Sequence, residues 1–324
     1  MFNIEPIILL DKAFKQGVPQ DVINQAIEDN TWFTKDNIHF AINAIRSEML
    51  DREKLNVWMG KYSNNGLNGK RIALIMAGNI PLVGIFDLLC VIILNGIPIV
   101  KFSSKDKALM GWVVKVLQEN GVEIETLNDN SKIDVVIATG SDSSNLIFKQ
   151  KYGSLPLLTR GSRTSIAIIS NPLTQQEAVG LWIDVFQYFG LGCRNVSHLL
   201  IKRGVSINSI AEHWLGKTIN NQHFTNSYTQ KKAIMSITNA PFIDCGCFLF
   251  RESNILDASM GEITYSYYEN EKEKNEFLSN HKDELQCIVA EEHIPFGAAQ
   301  RPTLNDWADG IDTIKFLMSF VDRA

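Results

Sequence analysis

The sequence lacks the features that mark secreted, nucleic-acid-binding or zinc-binding proteins. It has five cysteines, but no Cys/His group has zinc spacing, so we expect free thiols and no metal. The net charge is −5 and no basic run is present, which argues against a nucleic-acid partner. The N-terminus has no basic start followed by an apolar core and a cleavage site, so the reducing cytoplasm is the expected location.

Length and composition are those of an ordinary globular protein. The chain has 324 residues, of which 45% are hydrophobic and 21% charged, and this length predicts two domains. Residues 1–70 carry apolar side chains at three-to-four spacing, which predicts amphipathic helices. Internal repeats and low-complexity linkers are absent from the sequence.

The chain is organised around residues 71–106, which predict a strand, a helix and a second strand. Residues 71–77 form an apolar run that ends at Gly78 and Asn79. Pro81 suits the first turn of a helix, which we expect to continue to about residue 94, where Asn95 and Gly96 stop it.

Residues 97–102 predict the second strand, and Ser103 or Ser104 can cap the helix after it. A strand, a crossover helix and a strand make one βαβ unit with parallel neighbouring strands. Nucleotides bind at the carboxyl ends of such strands, so Asn79 and Lys101 should lie at one edge of the sheet.

Two other interpretations of this stretch stay open. Residues 80–100 are apolar enough to span a bilayer, although Pro81, Asp87 and Pro98 divide them into pieces that fit a buried helix and strand. A buried βαβ unit can also lack any ligand role, because fold alone does not give function.

A second candidate phosphate loop follows the predicted strand at 132–138. It includes Gly140 and Ser141 and is rich in small and hydroxyl residues, whose backbone N–H groups can face a phosphate. The same residue types also cap helices with no ligand present.

Cys193 is the candidate nucleophile. It lies in residues 190–197 (GLGCRNVS), between a helix predicted at 174–189, which starts with a capping box, and a strand predicted at 198–201. The adjacent cation Arg194 favours the thiolate form. The other thiols are expected to pack in the interior: Cys90 in an apolar helix, Cys287 in an apolar strand, and Cys245 and Cys247 on one face of a strand.

Five short stretches in this order resemble the aldehyde dehydrogenase superfamily. More closely, they resemble its acyl-CoA reductase branch, which includes the fatty acid reductase of bacterial luminescence. The stretches are residues 78–82 (GNIPL), 100–104 (VKFSS), 139–141 (TGS), 190–193 (GLGC) and 294–297 (IPFG).

The resemblance covers about residues 72–316 and implies an α/β fold. It implies a Rossmann-type parallel-sheet cofactor domain and an α/β catalytic domain. Residues 1–160 then hold the N-terminal helices and the NAD(P)-binding domain, residues 161–295 the catalytic thiol domain, and residues 296–324 a segment that returns to the cofactor domain.

The resemblance also implies residue roles. Cys193 matches the nucleophile that forms the covalent intermediate, and Asn79 matches the amide that helps to bind the oxyanion. Lys101 matches the lysine that binds the adenosine ribose, with Ser103 and Ser104 beside it. Gly140 and Ser141 match the loop that lies against the pyrophosphate and the nicotinamide.

Two departures from the family pattern refine the expected reaction. Hydrolytic members carry a glutamate in a Glu-Leu-Gly-Gly motif, whereas residues 159–162 here are TRGS and offer no general base. Transfer to an outside thiol such as CoA needs no such base. NAD-preferring members often have a glutamate three residues after the lysine, but this chain has Ser104 followed by Lys105, which favours NADPH while leaving NADH open.

The expected activity is therefore NADPH-dependent reduction of an acyl-CoA to an aldehyde, as in fatty acid metabolism. One alternative is an acyl phosphate reductase of the glutamyl phosphate reductase type, with Arg160, Arg163 and Arg194 supplying a cationic pocket. Another is a non-catalytic nucleotide-binding scaffold. The resemblance leaves open both a homo-oligomer and an acyltransferase partner.

Overall fold

The computed structural model describes residues 2–63 and 66–320 and divides the chain into two units. Unit 1 comprises Met1–Ser162 and Arg301–Ala324, and unit 2 comprises Arg163–Gln300. The helices of the described residues are α1 (Glu5–Gln16), α2 (Gln20–Asp29), α3 (Lys35–Met49), α4 (Arg52–Met59), α5 (Ile85–Ile93), α6 (Lys107–Glu119), α7 (Asp142–Tyr152), α8 (Gln175–Phe186), α9 (Ile207–His213), α10 (Gln222–Ile237), α11 (Glu271–His281) and α12 (Thr313–Met318). The strands are β1 (Arg71–Ile75), β2 (Ile97–Lys101), β3 (Glu125–Thr126), β4 (Val135–Thr139), β5 (Leu157–Arg160), β6 (Thr164–Ile169), β7 (Val196–Lys202), β8 (Ile243–Asp244), β9 (Leu249–Glu252), β10 (Glu262–Tyr268) and β11 (Leu285–Val289).

Unit 1 is built on a parallel sheet with strand order β3-β2-β1-β4-β5. The predicted βαβ unit is confirmed, because β1 and β2 are parallel neighbours that pair from Arg71 with Ile97 to Ile75 with Lys101. The N-terminal helices share the apolar core of this unit, and Phe14 of α1 packs on Trp112 of α6 with ring centroids 5.1 Å apart. The α/β fold predicted from the sequence is the fold observed.

Helix α5 begins later than the sequence predicts. Instead of starting near Pro81, the helix starts at Ile85, after a turn in which Leu82 has a left-handed φ of 59°. The Leu82 backbone N–H donates to the buried Asp106 carboxyl at 2.8 Å. This hydrogen bond stabilises the turn in a non-helical conformation, so the helix begins after it. The predicted stop is confirmed, because Asn95 is also left-handed and the Gly96 N–H donates back to the Val91 carbonyl at 2.9 Å.

The membrane-spanning interpretation of residues 80–100 finds no support. Helix α5 has only nine residues, and the chain then turns into β2. Across residues 2–63 and 66–320, no helix is long and apolar enough to cross a membrane.

Unit 2 is built on a second sheet, with strand order β11-β6-β7-β10-β9-β8. Its strands are parallel except β8, which forms an antiparallel hairpin with β9. Aromatic side chains fill the space around helix α8: Trp182 and Phe186 lie against Trp214 and Phe248 with ring centroids 5.0 to 6.2 Å apart.

The prediction for Cys245 and Cys247 was wrong in its geometry. The two residues lie in the hairpin turn between β8 and β9, not on a strand, because Gly246 has a φ of 85° and the Cys245 N–H donates to the Phe248 carbonyl. Both side chains are half-buried.

Candidate active site

Three loops of unit 1 meet at the carboxyl edge of its sheet. Strand β1 lies between β2 and β4, and all three are parallel, so the residues that follow them are neighbours. Asn79 follows β1, Lys101 is the last residue of β2, and Gly140 follows β4. This is the edge at which open α/β sheets bind ligands, and the structure places the predicted cofactor residues there.

The loop that carries Asn79 is held by buried polar groups. Gly78 approaches the loop after β2 so closely that a Cβ there would lie 2.6 Å from Ser103 Oγ. The buried Asn30 side chain donates to the Gly78 carbonyl at 3.2 Å. Asp106 accepts the Leu82 N–H on the other side of Asn79, and burial raises the pKa of Asp106 well above its usual range. Neither Asn30 nor Asp106 was singled out from the sequence.

The residues after β2 combine a cap with exposed polar groups. Ser103 Oγ accepts the Lys105 N–H at 3.3 Å and caps a short 3₁₀ turn that leads into α6. Lys101, Ser104 and Lys105 are exposed. Cations and a hydroxyl are therefore presented to solvent from one short segment.

Ser141 caps α7 as the sequence allows. Its Oγ accepts the Ser144 N–H at 3.3 Å and lies 2.9 Å from the Ser143 hydroxyl. Gly140 packs tightly, since a Cβ there would lie 2.8 Å from Ser144 Cβ. The turn brings small residues to the N-terminus of an 11-residue helix.

Cys193 belongs to unit 2 and lies in the connection between α8 and β7. The connection opens with three successive left-handed residues, Tyr188, Phe189 and Gly190, with φ of 56°, 57° and 78°. Two aromatic residues therefore share this turn with the glycine. Cys193 is half-buried, and Ser165 of β6 donates to its carbonyl at 2.8 Å.

Asn195 holds this connection together and was not recognised from the sequence. Its side-chain oxygen accepts the Gly192 N–H at 2.8 Å, and its own N–H donates to the Gly192 carbonyl at 2.9 Å, so the two residues bracket Cys193. Its amide nitrogen donates to the carbonyls of Asp184, Val185 and Gln187 at 3.2, 2.9 and 2.7 Å. A buried asparagine whose side-chain oxygen and nitrogen are both hydrogen-bonded fixes the backbone around it.

Solved structures of aldehyde dehydrogenases are similar to the chain. Aldehyde dehydrogenase 21 from Physcomitrella patens, in complex with the reaction product succinate, has a TM-score of 0.69 and 10% identity, over 98% of this chain and 83% of that one. A Mycobacterium tuberculosis aldehyde dehydrogenase complexed with NAD+ has a TM-score of 0.63 and 13% identity, over 93% and 75%. A salicylaldehyde dehydrogenase from Pseudomonas putida G7, complexed with salicylaldehyde, has a TM-score of 0.62 and 11% identity, over 89% and 72%.

The chain has the aldehyde dehydrogenase fold. No protein-family model matches the sequence, and no curated protein matches it either. At these identities the likeness concerns the fold, and fold alone does not determine the chemistry of a site.

Within this aldehyde dehydrogenase fold, residues 159–162 form the end of β5 and the loop after it. Arg160 is buried and donates to both oxygens of Asp87, at 3.1 and 2.7 Å. It also donates to the Ala308 carbonyl at 2.6 Å and to the Thr313 hydroxyl at 2.7 Å. Four of its five N–H donors thus point at protein groups and its charge is paired with Asp87, which argues against Arg160 as part of the cationic pocket that an acyl phosphate would need.

The other four cysteines of the chain lie in settings that disfavour a reactive thiol. Cys90 is fully buried in α5 and burial raises its pKa far above the usual range. Burial also raises the pKa of Cys245 to about 12 and that of Cys247 to about 11. Cys287 is buried, with its Sγ 3.1 Å from the Ser165 hydroxyl. The thiolate is the reactive form, so the raised pKa values of Cys90, Cys245 and Cys247 suppress their nucleophilic behaviour.

Proposed function

We propose that the protein reduces an acyl-CoA, a fatty acyl thioester, to an aldehyde with NADPH, through an acyl-enzyme on Cys193. The observation that supports this best is the setting of Cys193, a half-buried thiol in a connection braced by Asn195 and Ser165. A reacting group held by buried hydrogen bonds is preorganised for attack.

The absent general base favours CoA chemistry over hydrolysis. The stretch that matches the glutamate motif of hydrolytic enzymes is TRGS, and its arginine is tied to Asp87. Residues 159–162 themselves contribute no carboxylate that could activate water, and the nearby Asp309 carboxylate accepts the Gly161 N–H at 3.1 Å. An acyl-enzyme then exchanges with a thiol, which is a good nucleophile without such a base.

The proposed steps assign a role to each residue. The Cys193 thiolate attacks the thioester carbonyl carbon, a new C–S bond forms, and the bond to the CoA sulfur breaks so that CoA leaves as a thiolate. The side chain of Asn79 and the backbone N–H of Cys193 donate to the oxyanion formed in this step. When the aldehyde forms, the bond between its carbon and Cys193 Sγ breaks and the Cys193 thiolate is regenerated.

The cofactor proposal rests on the carboxyl edge of unit 1. The exposed side chains of Lys101, Ser104 and Lys105 suit the adenosine ribose and its 2′-phosphate, with Ser103 fixing their segment. Gly140 and Ser141, at the start of α7, suit the pyrophosphate. The chemistry that the reduced nicotinamide supplies when bound is hydride donation. These groups favour NADPH, and NADH is the second choice.

The proposal also covers partners and location. The acyl group arrives from acyl-CoA or from another acyl thioester, which an acyltransferase partner can supply, and the chain is compatible with a homo-oligomer. The cytoplasm is the proposed location, because a reducing compartment preserves the Cys193 thiol.

The test is oxidation of NADPH dependent on acyl-CoA, followed at the nicotinamide absorbance across short to long acyl chains, with NADH alongside. We expect NADPH oxidation with release of free CoA, and loss of turnover in Cys193→Ala with cofactor binding retained. Cys247→Ala, a half-buried thiol in a hairpin turn, is the matched control and should keep its activity. Turnover that survives in Cys193→Ala would refute the mechanism.

A further inference from the structure

Residues 297–300 are tied to helix α8 by a buried carboxyl group, Asp184. Its side chain is 0% exposed. One oxygen accepts the Gly297 N–H at 2.6 Å and the other accepts the Ala299 N–H at 2.9 Å. Both oxygens are thus committed to the main chain of one segment.

The same segment is pressed against α8 one turn earlier, at Gly180. A Cβ on Gly180 would lie 2.7 Å from the Phe296 carbonyl group and 2.9 Å from the Gly297 nitrogen. Gly297 itself has a φ of 91°, a conformation that glycine adopts without strain. The backbones are in direct contact there, so the Asp184 bonds decide how the rest of the segment lies on the helix.

From this segment, hydrogen bonds continue to the residue next to the candidate nucleophile. Arg194 Nε donates to the Ala299 carbonyl at 2.5 Å. The Gln300 amide donates both to the Arg194 carbonyl at 2.9 Å and to the Asp184 carbonyl at 3.1 Å. Arg194 directly follows Cys193, so one path from the Asp184 carboxylate to the thiol consists of these bonds and one peptide unit.

We propose that Asp184 is a positioning residue for Cys193: its ionised carboxylate holds residues 297–300 where they fix Arg194 and, with it, the Cys193 connection. The inference rests on the proposed function only in taking Cys193 as the nucleophile. Asp184 touches no reacting atom in this scheme and acts through Ala299, Gln300 and Arg194.

The pKa of Asp184 lies at a pH that experiments on the folded protein can reach. Burial raises the pKa of Asp184 to about 6, opposed by the Gly297 and Ala299 N–H groups and by the charge of Arg194. When the carboxyl group is protonated, one of its oxygens carries a hydrogen. That oxygen and the backbone N–H opposite it are then both donors, which disfavours the hydrogen bond between them. One of the two bonds to the segment is therefore weakened as the pH falls through about 6.

Asp184→Asn imposes the same change at every pH. The amide keeps the size of the carboxyl group but presents an NH₂ to one of the two backbone donors. Hydrogen exchange by mass spectrometry at neutral pH should show residues 190–197 exchanging about fivefold faster than in the wild type, the factor expected for loss of one hydrogen bond. Glu177→Gln, at the far end of α8, should leave this exchange unchanged, because the hydrogen bonds of its side chain are those of the capping box with Thr174.

The second readout is the rate of Cys193 alkylation by iodoacetamide between pH 5 and 9, measured on the Cys193 peptide. The wild type should depart from a single thiol titration near pH 6, and Asp184→Asn should follow a single titration throughout. A structural role alone would not produce that inflection. Gln300→Met removes the side-chain hydrogen bonds to the carbonyls of Asp184 and Arg194. It should speed the hydrogen exchange of residues 190–197 and keep the inflection near pH 6. This variant tests the proposal if circular dichroism shows that Asp184→Asn is unfolded.

A single-titration wild-type profile, or unchanged exchange of residues 190–197 in both variants, would overturn the inference. Neither readout uses acyl-CoA or a cofactor. A protein that fails to oxidise NADPH but shows the pH 6 inflection would contradict the proposed function and support the positioning role.

Discussion

Arg160 and Asp87 form a forked ion pair in the interior of unit 1, with Arg160 Nε and Nη2 at 3.1 and 2.7 Å from the two carboxylate oxygens. The side chains are only 4% and 16% exposed. Thr313, from the C-terminal segment, donates to Asp87 and accepts from Arg160. The pair therefore fastens β5, α5 and the start of α12 to one another.

Removing one partner of this pair should be costly. We expect Arg160→Met or Asp87→Leu to lower the free energy of unfolding by about 3 kcal/mol, because each leaves a buried charge unpaired. The double variant should cost less than either single variant, since no buried charge remains. Urea unfolding of the four proteins forms the double-mutant cycle that measures this coupling.

The control for that cycle is the ion pair between Arg52 and Glu5, whose side chains are 48% and 66% exposed. Water screens an exposed pair, so Arg52→Met should change the unfolding free energy little. Additive effects in the Arg160 and Asp87 cycle would contradict the coupling and return Arg160 to the set of cations available for a ligand.

Asn79 should act on the rate of the chemical step and not on cofactor affinity. If its side chain donates to the oxyanion, Asn79→Ala should lower kcat with acyl-CoA about 100-fold or more while KM for NADPH stays the same. Asn120→Ala, an exposed position at the end of α6, is the matched control and should keep kcat. An equal loss of kcat in both variants, or a change confined to KM for NADPH, would remove Asn79 from the oxyanion role.

Cofactor preference should follow Lys105. Lys105→Glu places a carboxylate where the 2′-phosphate is proposed to lie, so KM for NADPH should rise about tenfold or more and KM for NADH should change little. Lys115→Glu reverses a charge further along α6, where the side chain is exposed, and should alter neither constant. A parallel rise in both KM values would mean that Lys105 does not discriminate the 2′ position.

Local sequence signals were enough to predict much of the fold. The predicted stop of α5 at Asn95 and Gly96 is observed, and the predicted capping box, made by Thr174 and Glu177, is formed. Both depend on residues close together in the chain, such as a cap, a helical apolar pattern and an Asn-Gly stop. The placement of Asn79, Lys101 and Gly140 at one edge followed from the rule that βαβ strands are parallel neighbours.

Contacts between distant residues account for what the sequence could not predict. Helix α5 starts late because Leu82 is held by Asp106, which lies 24 residues away. The positioning role proposed for Asp184 rests on its bond to Gly297, which lies 113 residues away. An aspartate in an amphipathic helix gives no local sign that it will meet two backbone N–H groups in the interior, so only tertiary structure identifies it.

The final prediction concerns acid stability and His198 of β7. His198 is 0% exposed, and its two ring nitrogens lie 2.9 Å from the hydroxyls of Thr264 and Ser266. Burial, with a smaller effect from the charge of His281, lowers its pKa to about 3. In the unfolded chain His198 therefore binds a proton near pH 6.5, whereas in the folded chain it stays neutral down to about pH 3. Protonation of the unfolded state lowers the free energy of unfolding as the pH falls from about 6.5 toward 3.

His198→Gln should remove that dependence, since glutamine can hydrogen-bond but does not titrate in this range. We expect the wild type to lose about 3 kcal/mol more unfolding free energy than the variant between pH 6.5 and 4, measured by urea titration at each pH.

Asp184 acts with the opposite sign, because its raised pKa makes its contribution to stability decline as the pH rises from about 4 to 6. The difference between variant and wild type, in which the Asp184 contribution cancels, is therefore the quantity to compare. His223→Gln, at an exposed position of α10, should follow the wild-type curve, and a His198→Gln curve parallel to the wild type would show that His198 does not remain neutral in the fold.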